Sequence, residues 1–119
     1  MASMILFGLE NDLADELARI LQHEGHHVHM TRSIDNMPHR DGAHIVFAGG
    51  DGPDYRDTVR SLVDRCPDTP VVMVNRVPEN SRWLDALELG ASDYCGAPFE
   101  AVQVRWLVDA VLRASSVPA

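Results

Sequence analysis

Residues 88–100 read Glu-Leu-Gly-Ala-Ser-Asp-Tyr-Cys-Gly-Ala-Pro-Phe-Glu, and this stretch joins the last two predicted helices of the chain. The first of these helices is expected to run from about residue 80 or 81 to Leu89, with Gly90 as the glycine that ends it. The second is expected to begin near Phe99. Its apolar residues repeat at helical spacing and therefore share one side of the helix, at Val104, Val108, Val111 and Leu112.

Upstream of that stretch, short apolar runs alternate with helical patterns. The runs at residues 4–7, 44–48 and 71–74 are continuous, which is typical of strands buried on both faces. Between them, a first helix is predicted after Asp12 as N-cap, with Gly25 as its stop. Apolar residues at helical spacing mark this helix and a second one, at Leu13, Leu17, Ile20 and Leu21, and at Val59, Leu62 and Val63. Strands alternating with helices indicate βαβ units and a parallel sheet.

The stretch at residues 88–100 resembles the C-terminal signature of response-regulator receiver domains, in which a helix ends at Leu-Gly-Ala, a short strand follows and Lys-Pro-Phe closes the segment. The resemblance extends over nearly the whole chain. It implies a flavodoxin-like (βα)5 fold, a three-layer α/β sandwich whose five-stranded parallel sheet has the strand order 2-1-3-4-5. We expect one receiver-like domain over residues 1–119, with 115–119 as a tail or the start of a linker.

Residues 31–43 have to return the chain from the second strand to the third, where the resemblance implies a helix of about ten residues. This segment holds few apolar residues, and Pro38 lies near its centre. We therefore expect the second helix of the fold to be shortened to one turn at most.

The positions at which receiver domains carry out phosphorylation hold other residues here. By resemblance they are Glu10, Asn11, Gly49, Asp51, Asn75, Arg76 and Ala97. Gly49 stands where the family has its phosphoryl-accepting aspartate, and glycine has no nucleophile. Ala97 stands where the family has a lysine, and no lysine occurs anywhere in the chain. Glu10 and Asn11 replace the acidic pair that holds magnesium, which favours carboxylates. The resemblance with these losses predicts a degenerate receiver that is not phosphorylated.

Several carboxylates remain near the expected pocket without the lysine or a central aspartate. Crowded carboxylates repel one another and raise each other's pKa values. The guanidinium of Arg76 has a planar fork that suits carboxylates. We therefore expect Arg76 to turn into the cleft, to pair with at least one of Glu10, Asp51 or Asp54, and to lock the pocket in one state.

A surface built by the last two helices and the last strand is the second candidate. Trp83 and Leu87 lie one turn apart on one helix, on a face that is expected to differ from that of Leu84 and Ala86, which should point to the sheet. Leu107 lies off the apolar stripe of the last helix. By resemblance, Tyr94 occupies the position of the switch aromatic. Receivers use this surface for dimerisation or docking, and a cluster of exposed apolar side chains favours an interface.

Composition excludes other classes of function. The formal charge of −8 argues against nucleic-acid binding by this domain. No apolar run reaches a membrane span, and no signal peptide is visible, so a cytoplasmic location is expected. Cys66 and Cys95 are expected to be free thiols. Histidines at positions 23, 26, 27 and 29 offer half a metal site, and the glycine-rich residues 48–53 lack a P-loop ending. No metal and no cofactor are expected.

The resulting hypothesis is a bacterial two-component or phosphorelay module that is not an enzyme. It would bind a protein partner, or a second copy of itself, through the last two helices and last strand, independently of phosphorylation and with or without an output domain. The alternative is a sensor of a small ligand or cation at the former phosphorylation pocket. An open, polar and occupied pocket would favour the sensor, whereas an apolar exposed patch would favour the interaction module.

Overall fold

Five short strands form one parallel sheet in the computed structural model, which describes residues 2–33, 45–77 and 79–116. In chain order the elements are β1 (Ser3–Phe7), α1 (Asn11–His23), β2 (His27–Thr31), β3 (Ile45–Gly49), α2 (Tyr55–Arg65), β4 (Val71–Asn75), α3 (Asn80–Glu88), β5 (Asp93–Gly96) and α4 (Ala101–Ser116). The strands lie in the order β2-β1-β3-β4-β5, and all neighbours are parallel. The predicted fold class and sheet order are confirmed.

Alternating residues of the central strands send their side chains into two separate cores. Met4 and Leu6 of β1 pack with α1 and α4 on one side of the sheet. Ile5 faces the other side, where it packs with Leu62 of α2, and Ala86 of α3 belongs to a neighbouring cluster on that side. Both faces of β1, β3 and β4 are covered, which explains the continuous apolar runs at residues 4–7, 45–48 and 71–74 of these strands.

The helix boundaries agree with the sequence pattern, with two corrections. Gly25 and Gly90 follow α1 and α3 with φ of 89° and 110°, which is the left-handed region that favours glycine. The prediction of Asp12 as N-cap is wrong, because Glu10 precedes the helix, without a side-chain cap, and Asp12 lies in the first turn. Helix α4 begins at Ala101 and not near Phe99.

The face of α3 that contacts the sheet was predicted only in part. Ala86 is fully buried, as expected, whereas Leu84 is 61% exposed, so the expectation that Leu84 points to the sheet is wrong. At 100° per residue, Leu84 lies about 160° around the helix from Ala86. The two residues therefore cannot share a face, and Leu84 is part of the outer surface.

Two predictions fall wholly or partly outside the described residues. The shortened second helix was placed within 31–43, and all but the first three of these positions lie outside. Helix α4 continues through Ser116, so the first two residues of the predicted tail are helical, and residues 117–119 are not described.

Candidate functional site

A cleft opens where β1, β3 and β4 end, at the carboxyl edge of the sheet. It has a volume of about 390 Å³, and its walls come from the segments that follow β1 and β3. Parallel sheets commonly bind ligands at this edge. Of the predicted pocket residues, Glu10, Gly49 and Asp51 line the cleft. Asn11 is the exposed first residue of α1 and is not part of the wall.

The remaining pocket positions border this cleft from β4 and β5. Asn75 is the last residue of β4, and Arg76 follows it in the connection to α3. The backbone N–H of Ala97 donates to the carbonyl of Asn75 at 2.9 Å. The fold thus brings Gly49, Asn75 and Ala97 to one edge, as the resemblance implied.

Gly49 lies in a place where the backbone leaves no room for a side chain. A Cβ atom at this residue would lie 2.6 Å from the carbonyl oxygen of Gly8 and 3.2 Å from its carbonyl carbon. Contacts of this length with backbone atoms require the β1–α1 connection to move. Gly49, which the resemblance places at the acceptor position, therefore has no side-chain nucleophile, and a methyl group fits there only if the backbone moves.

Asp51 is held by the connection that follows β4. Its two carboxylate oxygens accept hydrogen bonds from the backbone N–H of Arg76 at 2.9 and 2.8 Å. Oδ1 also accepts from Nδ2 of Asn75 at 3.3 Å. These bonds tie the β3–α2 loop to the end of β4 and use both oxygens of the Asp51 carboxylate.

The guanidinium of Arg76 reaches from the end of β4 to the start of α1, beside the cleft that Glu10 lines. Its Nη2 atom is 3.5 Å from Oε1 of Glu10, which confirms the predicted pairing. The shorter contact, 2.7 Å, is with Oδ1 of Asp12, which the prediction did not include among the partners. Asp12 comes within reach because it lies in the first turn of α1. The hydrogen bond from Arg76 lowers the pKa of Asp12, and the same bond raises the pKa of Arg76.

Asn75 is the buried centre of this polar network, with 1% of its surface exposed. Its Nδ2 atom donates to the carbonyl oxygen of Gly50 at 3.0 Å, and its Oδ1 atom accepts from the indole Nε1–H of Trp83 at 3.0 Å. A buried amide with both ends bonded avoids the cost of an unsatisfied polar group. The sequence marked Asn75 only as a departure from the family pattern and carried no signal for its pairing with Trp83.

Trp83 carries this network to the neighbouring surface. Its ring stacks on that of Tyr94, with centroids 4.0 Å apart and planes inclined by 17°. The chain of contacts therefore runs from Asp51 through Asn75 and Trp83 to Tyr94. Tyr94, the predicted switch aromatic, is therefore connected to the cleft by a continuous series of side-chain contacts.

A groove of about 300 Å³ lies beside this stack, between α3 and α4 and over β5. Trp83, Tyr94 and Leu107 line it, together with Phe99 and Glu100. Leu87, the fourth predicted interface residue, is 41% exposed on α3. We refer below to the lined cavity and to its two helical walls as the α3–α4 groove.

The prediction that these four side chains are exposed together is only partly right. Trp83 and Leu107 are half-buried, and both pack against core clusters. Sequence analysis missed Trp106, which is 65% exposed on the outer face of α4, and Leu84, which is exposed on α3. The helical spacing of α4 indicates that Trp106 is exposed, because it lies about 160° around the helix from Val104, which is buried.

A second cluster, also missed, fixes the β3–α2 loop against α3. Arg82 donates from Nη1 to the carbonyls of Gly50 and Gly52 at 2.8 and 2.9 Å, and its guanidinium lies 4.4 Å from the ring centroid of Tyr55. The Tyr55 hydroxyl and Arg56 both donate to Oδ2 of Asp85, at 2.6 and 2.7 Å. These bonds lower the pKa of Asp85, with the Tyr55 hydroxyl as the larger cause.

Other sequence candidates do not converge on a site. His27 and His29 are exposed on β2, and within residues 2–33, 45–77 and 79–116 no group of three or more potential ligands is arranged to hold a metal ion. Cys66 and Cys95 are free cysteines. Burial, and secondarily the charge of Asp93, raises the pKa of Cys95 to about 12. None of the described helices is long and apolar enough to span a membrane.

No protein-family model matches the sequence, and no curated protein does. Solved structures do match. A response regulator from Thermotoga maritima superposes with a TM-score of 0.83 at 16% identity, covering 95% of this chain and 98% of the other. The fold is that of a response-regulator receiver domain. The BeF3-activated receiver domain of DrrB shares this receiver fold, with a TM-score of 0.76 and 21% identity over 95% of this chain and 98% of its own. NtrX from Brucella abortus in complex with ADP has a TM-score of 0.83 and 24% identity over 97% of this chain, which spans 27% of the NtrX chain.

Proposed function

We propose that this chain is a cytoplasmic two-component signalling module that binds a protein partner without being phosphorylated. The observation that carries the proposal is the contact at Gly49. The position that corresponds to the acceptor has no side chain, and the carbonyl of Gly8 lies 2.6 Å from where a Cβ would be. A phosphodonor would find no carboxylate there.

The polar groups around Gly49 support the same conclusion. Arg76 pairs with Asp12 and Glu10, and Asp51 accepts two hydrogen bonds from the Arg76 backbone. The carboxylates that would attract magnesium are thus neutralised by groups of the same chain. The alternative function, a sensor of a small ligand or cation in the cleft, gains less support for this reason.

The interaction role is supported by the α3–α4 groove. Trp83, Tyr94, Phe99 and Leu107 line it, Leu87 is exposed on α3, and Trp106 is exposed on the outer face of α4. Large aromatic and aliphatic side chains are the usual anchors of protein interfaces. The hydrogen bond from Trp83 to Asn75 holds the stacked Trp83–Tyr94 pair in one arrangement, so the groove keeps its shape without a phosphoryl group.

Treatment with acetyl phosphate, or with beryllofluoride, in the presence of magnesium tests the proposal directly. We expect no gain of a phosphoryl mass, and no shift of the Trp83 indole N–H resonance beyond that caused by magnesium alone. The receiver domain of DrrB, treated in parallel, is the positive control, since its structure is that of the BeF3-activated form. A phosphoryl group on any aspartate of this chain would contradict the proposal.

A further inference from the structure

Carboxylates lie in and near the α3–α4 groove. Glu100 is part of the lining, near the end of β5. Asp93 lies at the other end of that strand, beside Ala110 and Ala114 of α4. Of these two carboxylates, Glu100 lies within the groove and Asp93 lies beyond it along the same strand. The apolar lining of the groove is therefore accompanied by negative charge along β5.

The nearby arginines point elsewhere. Arg82 donates to the carbonyls of Gly50 and Gly52 and pairs with Glu79 at 3.3 Å. On α4, Arg105 and Arg113 lie about 160° and 120° around the helix from Leu107, which faces the groove. None of the described residues that line the groove is basic.

A second copy of this chain is a poor occupant for such a surface. In a two-fold dimer the same patch meets itself, so the carboxylates around one groove would approach those around the other. The net charge of −8 on each chain adds long-range repulsion. A partner with the opposite charge avoids both costs and gains attraction on approach.

We propose that the α3–α4 groove binds an amphipathic segment of another protein that carries large apolar side chains on one side and lysine or arginine beside them. The apolar side chains would contact Trp83, Tyr94 and Leu107, and the basic groups would face Glu100 and Asp93. The inference rests on the proposed interaction function and specifies the chemistry of its partner.

The test uses the full chain and three synthetic peptides of one helical design. The first has leucine and tryptophan at helical spacing with lysine on the remaining positions, the second has glutamate in place of lysine, and the third keeps lysine but has alanine in place of the apolar residues. Titration is followed by calorimetry and by NMR shifts of the Trp83 indole and of Tyr94. We expect the first peptide to bind in the groove at least about tenfold more tightly than the other two, and more weakly at high salt.

Variants of the protein separate the charge from the apolar contact. Glu100→Gln is expected to weaken binding of the first peptide about two- to fivefold, as for exposed ion pairs, and to reduce the salt dependence. Asp64→Asn, an exposed position on α2, is the matched control and should leave the affinity unchanged. Leu87→Ala should weaken binding at all salt concentrations.

The outcomes distinguish the inference from the function on which it rests. Equal binding of the glutamate peptide in the groove, or concentration-dependent sedimentation that Leu87→Ala abolishes, would overturn the basic partner and keep the interaction function. Binding of the first peptide outside the groove, or no binding of any peptide by a monomeric chain, would also overturn the inference. Phosphorylation is measured separately, by the mass of the protein. A failure of the proposed phosphorylation independence would therefore be distinguished from a failure of the inference about a basic partner.

Discussion

The cleft at the strand ends and the α3–α4 groove lie on either side of Trp83. They differ in whether their side chains are bonded to other groups of the same chain. In the cleft, the polar groups of Asp51, Asn75 and Arg76 are bonded within the chain. In the groove, apolar side chains face outward and the bordering carboxylate of Glu100 makes no ion pair in the described part of the chain.

This difference separates a polar region that is bonded within the chain from a largely apolar surface beside it. The hydrogen bonds of the polar region join the loop after β3 to β4 and α3. The apolar surface is the one to which we assign partner binding. Asn75 and Trp83 join the two regions, so changes at these residues test whether the cleft supports the groove.

The largest expected effect is that of Trp83→Ala, in comparison with Trp106→Ala. Loss of the half-buried indole removes its stacking on Tyr94 and leaves Oδ1 of Asn75 without its donor. We expect the free energy of unfolding to fall by about 3 kcal/mol. Trp106 is 65% exposed, so Trp106→Ala should change it by less than about 0.5 kcal/mol. Urea denaturation with fitted m-values measures both, and similar losses would show that the two tryptophans do not differ in this way.

The next effect contrasts two glycines of the β3–α2 connection. A Cβ at Gly49 would meet the Gly8 carbonyl at 2.6 Å, whereas a Cβ at Gly52 would have nothing within 4 Å. Gly49→Ala is expected to reduce the free energy of unfolding by about 2 kcal/mol, as for overpacking. Gly52→Ala should stay within about 0.5 kcal/mol of the parent chain. A fully stable Gly49→Ala protein would remove the steric argument against an acceptor at this position.

Asn75→Ala tests the connection between the two regions. The substitution leaves the Trp83 indole N–H and the Gly50 carbonyl without their partner, and we expect a loss of about 1.5 kcal/mol in the free energy of unfolding. The indole proton of Trp83 should also exchange faster with solvent. Asn11→Ala, at an exposed position in α1, serves as the control for an asparagine change. Unchanged exchange of the indole proton would mean that Asn75 does not hold Trp83.

The smallest effect concerns Arg76→Ala and depends on pH. The pKa of Asp12 is lowered by its bond to Arg76, so the pair stabilises the fold above the ordinary pKa of aspartate, about 3.9, and this contribution is lost as pH falls through the lowered value. Arg76→Ala should therefore lower Tm slightly at pH 7 and reduce the decrease in Tm between pH 5 and pH 3. Arg60→Ala, on the exposed side of α2, is the control. If the Tm of Arg76→Ala and that of the parent chain change with pH in the same way, the ion pair between Arg76 and Asp12 does not contribute to stability.

Much of the site could be located from sequence because its positions follow from strand ends. Gly49, Asn75 and Ala97 come to one edge of the sheet, and Arg76 turns toward Glu10, as the crowding of carboxylates predicted. The partner of Arg76 at the shortest distance, Asp12, was not chosen because its position depends on where α1 begins. That boundary shifted by two residues when Glu10, and not Asp12, preceded the helix.

The sequence by itself determined the order of elements, the parallel sheet and the absence of a side-chain nucleophile at Gly49, because periodicity, glycine positions and residue identity are local properties of the chain. Only the tertiary structure decided that the Gly8 carbonyl closes the space at Gly49, that Asn75 bonds to Trp83, and that Leu84 remains outside the core. These features depend on distances between segments far apart in sequence and on the rotation of each helix about its axis. Both are set by the packing of all layers together, which no single segment specifies.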